Sequence, residues 1–229
     1  LCVDPNHGLW FTQERWGLCW YDIEHDKFYD YSNIHPGLHN VGTILRSNQP
    51  GEFWIGCRDS PIAYKIRLNK ERKMEIVDKE NLYAKGFRTG NIATIYEDSK
   101  NNIWIAADGQ LYIKPQGKQL VVSDIALPDI TSIVEDNNGD IWLGSKQAGL
   151  YKVSYTGAII LNKQYTTQNS LLVSNHIEGL LEWNHSIWIS TSQGSILKFD
   201  IDSGAFTDMS KSCGMTGNPI LGMKCDEHM

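Results

Sequence analysis

Three groupings of side chains in this sequence could do chemistry. Gln13-Glu14-Arg15-Trp16 sets a guanidinium beside an indole. An aromatic face with Arg, Asn and Gln nearby suits the C–H faces and hydroxyls of a sugar. Trp16 would serve equally as the cover of a neighbouring loop. His35-Pro-Gly-Leu-His39 carries two imidazoles four residues apart. On a helix these would make a metal pair, but Pro36-Gly37 turns the segment into a loop, so no metal site is read there. Glu14, Asp59 and Asp108 are carboxylates that a glycoside hydrolase would have to bring to one cleft. Nothing in their spacing singles them out.

The elements that must hold these groups come from a repeated phrase. Ile133-Val-Glu-Asp136-Asn-Asn-Gly139-Asp-Ile-Trp142-Leu-Gly144-Ser reads as a strand, a tight turn on Asp and Gly, and a second strand. Related phrases place tryptophans at 10, 54, 104, 142 and 188, at intervals of 44, 50, 38 and 46. A period of about 40 to 50 residues with several short strands is the mark of a β-propeller blade. The fold class is therefore all-β, with five repeats of four antiparallel strands, A to D, over residues 1–229. In the fourth repeat these are Thr131-Ser-Ile-Val-Glu135, Asp140-Ile-Trp-Leu-Gly-Ser145, Leu150-Tyr-Lys-Val153 and a strand near 159–165. No stretch has a 3.6-residue period, so helix content should be very low.

Trp10, Trp54, Trp104, Trp142 and Trp188 are expected to fill the space between sheets. The small residue two places on (Thr12, Gly56, Ala106, Gly144, Ser190) lets the next sheet approach. Asp4, Asp98, Asp136 and Gly139 are expected to shape turns. The opening Leu1-Cys-Val3 reads as mid-strand, and Met223-Lys-Cys225 repeats the same position ahead of Asp226. The two are rival copies of one strand. The chain is thus expected to be an excised arc of a larger ring, although a closed five-blade ring would also fit.

Composition narrows the function. A net charge of −6 lacks the basic stripe of a nucleic-acid binder. No apolar run is long enough to span a membrane, for which about 18 residues are needed. Five cysteines without C-x-x-C spacing suggest neither a disulfide framework nor a zinc site; Cys2, Cys19 and Cys57 fall in strands and read as small buried hydrophobes. There is no phosphate loop and no Gly-x-Ser-x-Gly.

In a four-strand meander the B–C loops and D–A linkers emerge on one face, and the A–B and C–D turns on the other. The first set varies most, as recognition loops do. On that face lie Gln13, Glu14, Arg15, Trp16, His35, His39, Arg58, Asp59, Arg88, Asn91, Asp108, Lys146, Gln147, Asn175, His176 and Gln193. The candidates for ligand binding are Arg15, Trp16, His35, His39, Arg58, Arg88, Lys146, Gln147, Asn175 and His176. Trp183 is a weaker one, because it falls in an A–B turn.

The phrase Glu-Asp-x-x-Gly-x-Ile-Trp, then Gly-Leu-Tyr, resembles the two-component regulator propeller repeat. It is clearest at Asp136 to Tyr151 and Asp98 to Tyr112, good at Asp4 to Trp20, and degraded at Pro50 to Tyr64 and Trp183 to Ile196. Asn169-Ser-Leu-Leu-Val-Ser-Asn175 is similar to that family's linker between blades. The resemblance implies a sensor region of a bacterial hybrid histidine kinase, located in the periplasm, responding to polysaccharide-derived oligosaccharides and working as a homodimer of the parent sensor. It implies no cofactor, no catalysis by this part of the chain and no contact of this part with a membrane. Two alternatives stand beside it: a structural propeller that mediates dimerisation without a small-molecule site, and a carbohydrate-active enzyme.

Overall fold

The structure, a computed structural model, describes residues 1–4, 8–13, 17–38, 40–85, 90–215, 217–218, 220 and 223, without the side chains of Gln13, Ala84 and Lys85. The chain divides into two compact units, Leu1–Val122 and Ser123–Met229.

The first unit holds three four-stranded antiparallel meanders. Sheet 1 is β1 (Cys2–Asp4), β2 (Gly8–Gln13), β3 (Gly17–Asp22) and β4 (Lys27–Asp30). Sheet 2 is β5 (Val41–Arg46), β6 (Glu52–Cys57), β7 (Ile62–Leu68) and β8 (Met74–Asn81). Sheet 3 is β9 (Ile92–Glu97), β10 (Ile103–Ala107), β11 (Gln110–Lys114) and β12 (Val121–Val122). The second unit holds sheet 4, with β13 (Ile130–Glu135), β14 (Ile141–Ser145), β15 (Leu150–Tyr155) and β16 (Ile159–Tyr165). Its sheet 5 comprises β17 (Ile177–Glu182), β18 (Ser186–Thr191), β19 (Ile196–Asp200) and β20 (Phe206–Asp208). These are the five blades expected from the tryptophan spacing. One 3₁₀ turn, Leu82–Lys85, was not foreseen; it follows β8 and seats Leu82 in the core.

Period-2 alternation puts Trp10, Trp54 and Trp142 on one face of their sheets, toward the following sheet. Trp10 lies 5.6 Å from Phe53 of sheet 2, and Trp142 4.9 Å from Phe199 of sheet 5, measured between ring centroids. Trp54 packs among Ile92, Ile95 and Ile105 of sheet 3. Trp104 is also buried. Trp188 departs from the expectation: it is half-buried, and its ring meets Trp183 at 6.0 Å instead.

At Gly56 and Gly144 the small residue two places after the tryptophan lets the next sheet approach, as expected. A Cβ on Gly56 would stand 2.5 Å from Ile92 Cγ2, and one on Gly144 2.7 Å from Ile177 Cγ2. In each case the contact is the first residue of the next A strand. Ser190 Oγ donates to the carbonyl of Ile220 at 3.2 Å.

A β-bulge, not expected from the sequence, recurs near the start of the A strand in sheets 2 to 5, skipping Gly42, Ala93, Thr131 and Glu178. A bulge re-aims the skipped side chain. Thr131 Oγ1 thereby reaches the Ile177 carbonyl of the next sheet at 2.8 Å.

Candidate functional site

Recurring backbone bonds assemble the loop face. The first residue after strand B donates its N–H to the carbonyl just ahead of strand A in the same sheet. The pairs are Arg58 to Asn40 at 3.0 Å, Asp108 to Asn91 at 3.3 Å, Lys146 to Asp129 at 2.9 Å and Ser192 to His176 at 3.1 Å. B–C loops and D–A linkers therefore do share a face. Asn40 and Asp129 take left-handed backbone there, with φ of 53° and 51°, which Asn and Asp tolerate better than most residues.

Four candidates meet in the second unit. The Gly149 N–H donates to the Asn175 carbonyl at 3.0 Å, which ties the sheet 4 B–C loop to the linker ahead of sheet 5. Lys146 and Gln147 are exposed beside that junction. Gln147 Nε2 donates to Asp129 Oδ2 at 2.7 Å, and Asn175 Oδ1 accepts the Thr167 N–H at 2.9 Å. His176 Nε2 lies 3.3 Å from Glu178 Oε1 of the bulge. Asn175 is thus engaged in shaping the linker, while Lys146 offers an exposed cation.

In the first unit His35 Nδ1 accepts the Gly37 N–H at 3.0 Å and its ring stands edge-on to Tyr64 at 5.3 Å, so it organises its own turn. The Arg58 side chain lies over Gly42, where an added Cβ would stand 2.8 Å from its Cγ. Asp59, Asn91 and Asp108 are exposed, and no group of three His, Cys, Asp or Glu side chains among the described residues could hold a metal ion. Arg15, Trp16, Glu14, His39 and Arg88 lie outside the described residues, as does the side chain of Gln13. Burial pushes the Cys57 thiol up to about 12, with the Asp59 charge adding to it, and burial likewise raises Tyr64, Tyr112 and Tyr151. These three tyrosines belong to the core and not to a reactive surface.

The opposite face holds what the sequence reading missed. Asp136 does more than shape its turn. Its Oδ1 accepts the N–H groups of Asn138 and Asp140 at 2.9 and 3.0 Å, and its Oδ2 accepts Trp142 Nε1 at 2.8 Å. Asp98 does the same for Lys100, Asn102 and Trp104, the last at 2.9 Å. In sheet 1, Asp4 Oδ2 accepts Trp20 Nε1 at 3.1 Å, and Trp10 Nε1 has no partner among the described residues. Lys152, across the sheet from Trp142, places its Nζ 2.8 Å from Asp140 and 3.7 Å from Asp136, and 5.3 Å from the Trp142 ring. Burial works against its charge, but the hydrogen bond to Asp140 and the two carboxylate charges outweigh that and raise its pKa.

Sheets 2 and 5 depart from this pattern. By strand register, Ser47 takes the Asp136 position in sheet 2. Its Oγ accepts the Gln49 N–H at 3.2 Å, but it has no second oxygen, and the buried Trp54 Nε1 has no partner among the described residues. Lys65 faces Trp54 as Lys152 faces Trp142, pairs with Glu52 at 2.9 Å and lies 5.6 Å from the Trp54 ring. A cleft of about 200 Å³ opens here, lined by Trp54, Lys65 and Lys114 with Gln49, Glu97 and Asn101 among others. In sheet 5, Trp183 itself takes the aspartate position. Asn184 and His185, with φ of 51° and 54°, form a tight primed hairpin turn that shortens the loop by one residue.

Among the described residues, the four-stranded antiparallel meanders and their interleaved tryptophans define sheets of the β-propeller class. The family model described as two component regulator propeller matches residues 86–113 and 125–147. Those two stretches, in sheets 3 and 4, are therefore similar to two component regulator propeller repeats. No curated protein sequence matches the chain. Among solved structures, it is similar to the extracellular domain assigned to the hybrid two component system BT3049 from B. thetaiotaomicron. The TM-score is 0.69 and the identity 20%, over 96% of this chain and 28% of that one. PorZ, of the type-IX secretion system of Porphyromonas gingivalis, matches with a TM-score of 0.62 and 18% identity, over 86% of this chain and 31% of that one. The computationally designed Ika8 protein matches with a TM-score of 0.68 and 14% identity, over 98% and 64%. The chain thus spans under a third of the length of the natural structures named here. A designed protein fits as closely as this extracellular domain, so these likenesses speak for the fold alone.

Proposed function

We propose that these repeats form a ligand-sensing or signal-transmitting part of the periplasmic region of a hybrid two-component sensor, responding to polysaccharide-derived oligosaccharides. The observation that carries the reading is the junction of Lys146, Gln147, Asn175 and His176 on the loop face. Lys146 and Gln147 supply donors for sugar hydroxyls, His176 supplies an imidazole, and Asn175 holds the linker in place. The family match supports a regulatory role. The likeness to an extracellular domain fits an extracytoplasmic location.

Thermal unfolding against a panel of oligosaccharides tests it. A ligand at 100 times its Kd adds about 2.7 kcal/mol, which moves Tm by a few degrees. The shift should disappear in Lys146→Ala and Gln147→Ala, whose own Tm should lie near that of the parent because both residues are exposed. A panel that moves Tm equally in both variants would take the ligand elsewhere. No shift with any sugar would remove the oligosaccharide.

A further inference from the structure

Sheets 2 and 4 contain the same three-part arrangement around one difference. In sheet 4 a tryptophan indole, a lysine and a turn carboxylate (Trp142, Lys152, Asp140) surround the Asp136 carboxylate. In sheet 2 Trp54, Lys65 and Glu52 stand at the same register positions, and Ser47 replaces the aspartate. The result is a polar hydrogen left without an acceptor: Trp54 is 2% exposed, and its Nε1 has no hydrogen-bond partner among the described residues. A buried donor in that state is costly, and an arriving oxygen relieves the cost.

Trp54 and Lys65 both line the cleft. Its volume of about 200 Å³ is below the range of drug-sized pockets, roughly 300–1,000 Å³, so the occupant is small. Two acidic groups also stand in the wall. Glu97 is held by the Asn48 N–H at 3.1 Å, and Asp78 is exposed. Lys114, a second cation in the wall, pairs with Glu80. The tight turns beside the cleft are braced by Asn48, whose Nδ2 donates to the Asp98 carbonyl at 2.8 Å, so the walls are tied across the two sheets.

We infer that this cleft binds a small carboxylate, one oxygen of which takes at Trp54 and Lys65 the place that Asp136 Oδ2 holds at Trp142 and Lys152. A charge-assisted bond from the indole and the nearby ammonium supplies the attraction, and the amides of Gln49, Asn101 and Gln116 are available to the rest of the molecule. An acidic sugar is the class that suits both parts. This site lies at the A–B turn end of sheets 2 and 3 and does not depend on the oligosaccharide reading.

The test follows the Trp54 indole N–H cross-peak in the ¹⁵N-labelled 229-residue chain, identified by its loss in Trp54→Phe. Titration with glucuronate should shift this peak saturably, with glucose at least about tenfold weaker, since it lacks the charged acceptor. Ser47→Asp supplies an internal carboxylate and should abolish the response. Lys65→Gln should weaken it by about tenfold. An unmoved peak with glucuronate overturns the site. Equal responses to glucose and glucuronate overturn the carboxylate assignment. A full response in both Ser47→Asp and Lys65→Gln overturns the equivalence with Asp136; if Ser47→Asp does not fold, Lys65→Gln alone decides.

Discussion

Trp142 donates its indole N–H to Asp136 Oδ2 at 2.8 Å, six residues back across the A–B turn, while the other oxygen of the same carboxylate holds the turn's backbone. One buried side chain therefore couples the turn to the packing of sheet 4 against sheet 5. The turn cannot change shape without disturbing the tryptophan, and the tryptophan cannot rotate without leaving a buried charge short of a donor.

Asp136→Ala removes this coupling and leaves Trp142 Nε1 and two backbone N–H groups without their acceptor. Unfolding in urea should show a loss of about 3 kcal/mol, the scale for deleting one partner of a buried charged network. A loss below about 1 kcal/mol would reduce the carboxylate to an ordinary turn residue.

The five repeat tryptophans should not be equivalent. Trp142→Ala removes a fully buried indole that touches Tyr165 and Phe199, and should cost about 3–5 kcal/mol. Trp188→Ala removes a half-buried one and should cost about half as much. Urea midpoints of the two variants, measured side by side, check the ordering.

Gly149 and Gly157 separate strain from collision. Both have positive φ, 82° and 102°. A Cβ on Gly149 would stand 2.1 Å from the backbone oxygen of Tyr165, whereas nothing lies within 4 Å of one on Gly157. Gly157→Ala should cost about 1 kcal/mol, from backbone strain alone. Gly149→Ala should cost at least about 2 kcal/mol more, because a backbone atom cannot step aside as a side chain does. The same unfolding assay reads both.

Stability should fall at both ends of the pH scale for identifiable reasons. Hydrogen bonds from Ser32 lower the Asp30 pKa, and those from Ser210 lower Asp208. Folded values below the ordinary 3.8 mean a contribution present above about pH 4 and lost as pH falls through the depressed values. Cys57 runs the other way. Its thiol is raised from 9.0 to about 12, so the neutral form is favoured by folding, and the contribution is full below pH 9.0 and lost as pH climbs toward 12. Cys57→Ala should flatten the alkaline limb of a Tm–pH curve. At neutral pH iodoacetamide should modify the exposed Cys213 and spare Cys57 until the chain unfolds.

Much of this architecture was legible in the sequence because it repeats. The Trp intervals, the Asp–Gly turn and the small residue after each tryptophan each follow from local rules: period-2 alternation, turn chemistry and the room needed where sheets meet. Those rules located all five sheets and the contact of Gly56 and Gly144 with the following A strand. What the sequence could not reveal depends on distances across strands and turns. That Asp136 has an oxygen to spare for Trp142, that Trp20 takes over Asp4 in sheet 1, and that Ser47 leaves Trp54 without an acceptor among the described residues are facts of register and side-chain reach. Lys65 and Lys152 read alike along the chain. Only folding shows that Lys152 stands beside the Asp136 carboxylate and that Lys65, paired with Glu52, stands beside a cleft, because a hydrogen bond is decided by where two atoms meet and not by the order in which their residues are written.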